Sequence, residues 1–228
     1  MTLPPTRLDR RVRLAARALA RHGLAHAYGH VSARMPEDAA TPSLLVCAPH
    51  PMGLVPEGAA GTVVPLHGPL PDGVLGEVRI HRAIYARRPD VRAICRFQSP
   101  AVMALSAMGA TPRVLHGLGA YFRPAVPLHD DPRLCRDDTL AAQVADRLGP
   151  GRAVVMRGNG AITAGADLRE ALSYAFFLED AAKIDLAVRA AGGGAREYTA
   201  EEAEARDIGS GGLFGRMWEY LTAGDPEG

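Results

Sequence analysis

Residues 76–100 read GEVRIHRAIYARRPDVRAICRFQSP, and this stretch decides the fold. Its first half is an apolar helical segment carrying Glu77 and His81 one turn apart. Pro89 stops it, because proline has no N–H for the helical ladder and its ring clashes with the preceding turn. A strand follows in which Arg96 and Gln98 stand two residues apart and so share a face. Cys95 points to the opposite face, where a packed core thiol is expected rather than a nucleophile. Ser99-Pro100 then supplies an N-cap and a first-turn proline for a short helix closing at Gly109.

Working outward, Leu8, Val12, Ala15 and Leu19 recur at helical spacing, with Gly23 in the C′ position. Short strands are predicted around residues 31–34 and 44–47, and Gly and Pro punctuate the chain from there to Gly73. Residues 139–148 are amphipathic through Leu140, Val144 and Leu148, and Val154-Val155-Met156 reads as a short buried strand. Asp167 with Glu170, and Thr199 with Glu202, have capping-box spacing, the first pair ahead of a long helix reaching Gly192. The glycine run at 192–194 sets off a C-terminal extension, about 195–228, within a single domain spanning 1–228. Strands interleave irregularly with helices, which implies mixed α and β structure around one sheet.

Composition narrows the function classes. A chain of 228 residues can bury a sizeable core. Its net charge of +1, with both signs interspersed, gives no basic stripe. That argues against nucleic acid or an anionic membrane as partner. Arg10-Arg11 and Arg87-Arg88 read as solvated helix faces. The three cysteines, Cys47, Cys95 and Cys135, are widely spaced and odd in number, which fits a reducing cytoplasm without a disulfide framework. No apolar run reaches spanning length, and a soluble cytoplasmic protein is expected.

The layout of residues 76–100 resembles the class II aldolase/adducin family. There a Glu, a helix, an "rPdv.av" turn and His-x-His-(S/x)-Pro follow in this order, and the two histidines bind zinc. A third zinc histidine of the family lies in a "(L/R)-x-His-Gly-x-x-x-x-G" turn, which here is Arg157-Gly158-Asn159-Gly160-Ala161-Ile162-Thr163-Ala164-Gly165. The three ligand positions therefore read Arg96, Gln98 and Asn159, while the carboxylate at Glu77 is kept. Gly29-His30-Val31-Ser32-Ala33-Arg34 resembles the family's G-N-(I/V)-S-x-R substrate loop, with His30 in place of Asn. Ala48-Pro49-His50-Pro51-Met52-Gly53 stands where sugar-phosphate members have a Ser/Thr-Gly turn. Leu168 through Gly192 matches the family's long helix, "dl.eA....ylE..a.i...a...G". The resemblance implies a three-layer α/β/α sandwich on a mostly antiparallel sheet, and a homotetramer, for which the apolar Leu213, Phe214, Trp218 and Leu221 offer support.

Zinc in such an aldolase holds an enediolate while a carboxylate moves the proton. Neutral amides are poor zinc ligands, and a guanidinium stays protonated and cannot coordinate. No metal and no cofactor are therefore expected. Arg96 instead offers a fixed positive charge that can grip a carboxylate or enolate oxygen, with Gln98 and Asn159 donating further hydrogen bonds. The competing reading is that Arg96 merely bridges Glu77 and plugs a dead site. Glu77 is either the general acid/base or a helix-start carboxylate favoured by the dipole. His30 and His50 are candidates for substrate contact. Pro51 and the missing hydroxyl deprive a phosphate of its cradle. By resemblance, His116 and Tyr121 lie over the pocket; His81, a lone histidine on a helix, is expected to pack behind the site rather than to catalyse. Residues 115–122, with 126–131, look more like the decarboxylase-type members acting on hydroxylated aromatic or keto acids. The leading expectation is a metal-independent, decarboxylase- or aldolase-like lyase on a small non-phosphorylated carboxylate. The alternatives are a non-catalytic binding or scaffold protein, as in the adducin branch, and a metal lyase with relocated ligands.

Overall fold

The computed structural model describes residues 6–36, 41–192, 194–207, 209 and 212–228. In chain order the elements are α1 (Thr6–Arg21), β1 (His30–Arg34), β2 (Ser43–Val46), β3 (Thr62–Pro65), α2 (Val78–Arg87), β4 (Ala93–Phe97) and α3 (Pro100–Ala107). Then come β5 (Leu128–His129), α4 (Asp138–Leu148), β6 (Ala153–Met156), β7 (Ala161–Gly165), α5 (Leu168–Ala190), α6 (Ala200–Arg206) and α7 (Leu213–Thr222). The seven strands form one sheet in the order β3-β2-β1-β4-β7-β6-β5. Every pairing is antiparallel except β5 with β6. This is the mostly antiparallel α/β sandwich that the resemblance implied.

Two helical layers cover the sheet. Helices α1 and α5 pack on one face against β1, β4 and β7, while α2 and α4 pack on each other and against β1 and β6. The central strand β4 is buried along its whole length. Its alternation sorts chemistry by layer. Cys95 faces the α5 side beside Thr163, whose hydroxyl donates to the Ala171 carbonyl at 2.7 Å. Burial pushes the Cys95 thiol well above its ordinary range, as suits an inert core thiol. Arg96, one residue on, turns to the α2 layer, where it meets Glu77.

Several local expectations are corrected. Ser99 stands at the N-cap of α3, but its hydroxyl is buried without a partner among the described residues. The orphan N–H groups of Ala101 and Val102 donate instead to the Glu179 carboxylate of α5, at 3.1–3.2 Å. A buried carboxylate from another helix replaces the local cap, with the added favour of the helix dipole. The Asp167/Glu170 box forms only in half. Asp167 accepts from the Glu170 N–H at 3.0 Å, while the Glu170 carboxylate accepts from Ala166, not Asp167. The Thr199/Glu202 box is complete. Residues 161–165, read above as part of a turn, form β7 beside the central strand.

The C-terminal extension returns to the domain. Phe214 packs on Tyr121, Tyr174 and Phe177, Arg11 lies over Trp218, and Leu221 is fully buried. These apolar side chains are thus engaged within their own chain and no longer argue for an oligomer. Three arginines one turn apart on α1 hold the chain's end. Arg17 forks onto Asp225 at 2.6 and 2.8 Å, Arg13 forks onto Glu227 at 2.6 and 2.8 Å, and Arg21 reaches Asp225 at 3.2 Å. The glycine joint expected at 192–194 includes Gly193, which lies outside the described residues.

Candidate active site

Three elements bring the site together. Glu77 occupies the N-cap of α2 without capping it by its side chain. Arg96 comes from the end of β4, Gln98, expected on that strand, from the first residue after it, and Asn159 from the turn between β6 and β7. That turn needs its glycines, because Gly160 has φ +78° and a Cβ there would sit 2.0 Å from the Phe97 carbonyl oxygen. Gly29 does the same on the other side, where φ is +142° and a Cβ would meet the Arg96 carbonyl oxygen at 2.8 Å. Both glycines let the backbone close onto β4 and carry His30 and Asn159 to Arg96.

The result is a closed polar triad. Arg96 Nη2 lies 2.9 Å from Glu77 Oε2 and donates to Asn159 Oδ1 at 2.6 Å. Asn159 Nδ2 donates to Glu77 Oε1 at 2.9 Å, and Gln98 Nε2 donates to Asn159 Oδ1 at 3.0 Å. The Arg96 side chain is 3% exposed and that of Glu77 15%, so water reaches the pair from the carboxylate side. Burial lowers the Arg96 pKa and Glu77 opposes the shift. Two buried nitrogens nearby have no partner among the described residues, Arg96 Nε and His30 Nε2.

His30 and Arg96 are directly paired residues of β1 and β4. His30 Nδ1 is 2.8 Å from His81 Nε2, His81 Nδ1 is 2.6 Å from Ser32 Oγ, and Ser32 Oγ is 3.0 Å from the Tyr85 hydroxyl. Burial pulls both histidines down, His81 to about 3 and His30 well below its ordinary value, with Arg96 adding to each. Both rings are therefore neutral at pH 7. Ser32 and Tyr85 were not singled out from the sequence. The signal was there, since Ser32 shares a face with His30 two residues away, and Tyr85 lies one helical turn beyond His81.

Three expected contacts fall elsewhere. His50 is exposed in the loop before a 3-10 turn at Met52–Leu54. Tyr121 is buried among Tyr174, Phe177 and Phe214, with Arg152 over its ring. Arg152 precedes β6 and Asn159 follows it, so Tyr121 stands at the opposite end of that strand from the triad. The His116 ring packs beside Gly119 and Ala181, both its nitrogens buried without partners among the described residues. Within this one chain, neither His116 nor Tyr121 covers the Glu77–Arg96 cluster, because the segment holding both folds against α5.

The residues at the family's zinc positions do not fit the ion. One is a guanidinium whose Nη2 already lies against the Glu77 carboxylate, and the other two are amides, Asn159 bonded through both polar atoms to Arg96, Glu77 and Gln98, and Gln98 donating to Asn159. Among the described residues no group of three or more His, Cys, Asp or Glu could hold a metal.

A sheet of this order between two helical layers, with a carboxylate at the start of α2 facing the end of β4, defines a class II aldolase-type α/β protein. Residues 10–186 match the profile described as Class II Aldolase and Adducin N-terminal domain. Over 93% of this chain and 91% of that protein, the sequence is 30% identical to 3,4-dihydroxyphthalate decarboxylase of Arthrobacter keyseri. Identity to alpha-adducin of Rattus norvegicus is 31% over 50% of this chain and 16% of that one. The L-fuculose 1-phosphate aldolase of Glaciozyma antarctica PI12 superposes with a TM-score of 0.78 at 22% identity, over 95% of this chain and 88% of that one. The chain belongs to the class II aldolase/adducin family.

Proposed function

We propose that this protein is a metal-independent, decarboxylase-type lyase acting on a small, non-phosphorylated, hydroxylated aromatic carboxylate. The observation that carries the reading is the Arg96–Glu77–Asn159 triad beside two unpartnered buried nitrogens. A fixed cation stands at the family's metal-ligand positions, with hydrogen-bonding capacity left over. Similarity to a dihydroxyphthalate decarboxylase along nearly the full length of both chains supports the choice of reaction.

In the reaction, the bond between the ring carbon and its carboxylate breaks and CO2 leaves. The electron pair stays on the ring carbon, which takes up one proton. Arg96 holds the anionic group and stabilises the charge that develops, a task that a preorganised guanidinium performs well away from bulk water. Glu77, within reach of solvent, carries the proton. His30, Gln98 and Asn159 orient the substrate, while His81 supports His30. His50, His116 and Tyr121 take part only if another subunit or a bound ligand brings them to the site. The protein is proposed to act in the cytoplasm as a homo-oligomer.

The test is incubation of purified protein with 3,4-dihydroxyphthalate in the presence of EDTA, following CO2 release and loss of the dicarboxylate. Turnover that survives the chelator and is absent from Arg96→Ala supports the reading. Turnover abolished by EDTA and restored by zinc overturns metal independence. A second reading rests on the closed Arg96–Glu77 bridge, which is what a retired site in a binding or scaffold protein would look like. No turnover and no carboxylate binding by wild type would favour that reading.

A further inference from the structure

Tyr85, Ser32, His81 and His30 form one chain of hydrogen bonds, buried throughout, and its direction follows from donor and acceptor chemistry. The Tyr85 hydroxyl has Ser32 Oγ as its hydrogen-bond partner. A buried phenol must donate or leave its proton unsatisfied, so Ser32 accepts from Tyr85. Ser32 then gives its own proton to His81 Nδ1, which must be the bare nitrogen. His81 consequently carries its proton on Nε2 and donates to His30 Nδ1. That leaves His30 protonated on Nε2, the nitrogen that has no partner among the described residues. Running the chain the other way would strand one buried proton, that of Tyr85 or, if Ser32 accepted from both neighbours, that of Ser32. Adding a second proton to His30 would force the same reversal, next to Arg96.

We propose that Tyr85, Ser32 and His81 are positioning residues that fix His30 as a neutral Nε2–H donor, and that this N–H and the Arg96 Nε–H together receive an anionic oxygen of the substrate. Both unpartnered atoms are donors, and they come from directly paired residues on one face of the sheet. What they lack is an acceptor carrying negative charge. A histidine fixed as a donor binds such an oxygen, whereas the other tautomer would present a lone pair and repel it. The oxygen-binding half of this inference rests on the carboxylate reading given above. The tautomer half does not.

The experiment is long-range nitrogen NMR of histidine-labelled protein at pH 7, first without ligand. His30 should show a protonated Nε2 and a bare Nδ1. Ser32→Ala removes the proton donated to His81 Nδ1, and His30 should then become a mixture of tautomers. A protonated Nδ1 in wild type, or a tautomer unchanged in Ser32→Ala, overturns the role of the chain. Phthalate, an unreactive dicarboxylate, is then titrated. It should shift the His30 Nε2–H resonance. His30→Gln, whose amide N–H reaches the position of Nε2, should bind phthalate within a few-fold of wild type. His30→Asn, which is too short, should bind about tenfold or more weakly, the loss of one charge-assisted hydrogen bond. Tight binding without the shift, or full affinity in His30→Asn, overturns the oxygen seat and spares the functional reading. No binding by wild type overturns the seat together with that reading, and the tautomer result in the free protein stands apart from both.

Discussion

The two charges of the Arg96–Glu77 pair are unequal because water reaches only one of them. The Glu77 side chain keeps 15% of its surface exposed, and that of Arg96 keeps 3%. Removing the arginine leaves a carboxylate at the rim that can rehydrate. Removing the carboxylate leaves a guanidinium enclosed by protein. Truncating one partner of a buried pair costs about 3–5 kcal/mol. Glu77→Gln should lie near the lower end of that range, since the amide still accepts a hydrogen bond, and Arg96→Gln below it. Thermal or denaturant unfolding of both variants checks the order. Equal or reversed costs would show that desolvation of Arg96 does not govern the pair. If Glu77 moves the proton, Glu77→Gln should also lower turnover by about 10²–10⁴-fold, measured well below its melting temperature.

Among the elements, the C-terminal tail makes the most definite prediction. Asp225 is buried and takes both arms of the Arg17 fork, with Arg21 also reaching it. Asp225→Ala should destabilise the fold by about 3 kcal/mol. The figure sits at the low end for a broken buried pair because Arg17 keeps Glu227 at 2.7 Å. Urea unfolding should show this as a lower midpoint with unchanged slope. A change under 1 kcal/mol would mean the tail is a loose appendage. Elements were unevenly legible in the sequence, and the reason is physical. Periodicity revealed α1, α2 and α4, because each has an apolar face that no strand would show, while α5, apolar all round, is legible from its capping signal and its match to the family's long helix. It missed β7, since Ala161, Thr163 and Ala164 are too small and mixed to stand out, and their burial comes from neighbours on both sides. It assigned the α3 cap to Ser99, the local candidate, whereas Glu179, 80 residues away in sequence, provides it. The site showed the same division. Glu77, Arg96, Gln98 and Asn159 were found through motif order, whereas the shared faces of His30 with Ser32 and of His81 with Tyr85 become one hydrogen-bonded chain once β1 and α2 are packed together.

For the whole molecule, two expectations follow from the replaced ligands and the family. Elemental analysis after dialysis without chelator should find no stoichiometric zinc, because the three positions offer a guanidinium and two amides. One zinc per chain would direct attention to Glu77 and His81. Light scattering at micromolar concentration should give a homo-oligomer, with a tetramer expected. Its interface is expected to use surfaces other than the tail, such as those carrying the exposed Tyr28, Leu54 and Met108. A monomer would end that expectation and with it any role for His116 or Tyr121 in a neighbour's site.

Acid stability reports on the buried histidines of the whole fold. His81 is held at about 3 against an ordinary 6.5, chiefly by burial and then by Arg96, and His30 is also lowered by burial. Between those values the unfolded chain binds protons that the native chain refuses. Unfolding is therefore favoured as pH falls below 6.5, by about 1.4 kcal/mol per pH unit for each fully shifted histidine. Above 6.5 the two rings contribute no slope. The carboxylates act in a lower window. Glu227, held at about 2 by its hydrogen bond to Arg13, withdraws its stabilisation only as pH falls from its ordinary 4.5 towards that value. Stability measured by urea titration should therefore be level above pH 6.5 and decline between 6.5 and 4.5. His81→Gln should flatten that decline while leaving the steeper loss below pH 4.5. A wild-type curve level down to pH 4.5 would show that the histidines protonate in place, and that the buried chain from Tyr85 to His30 is not closed to water.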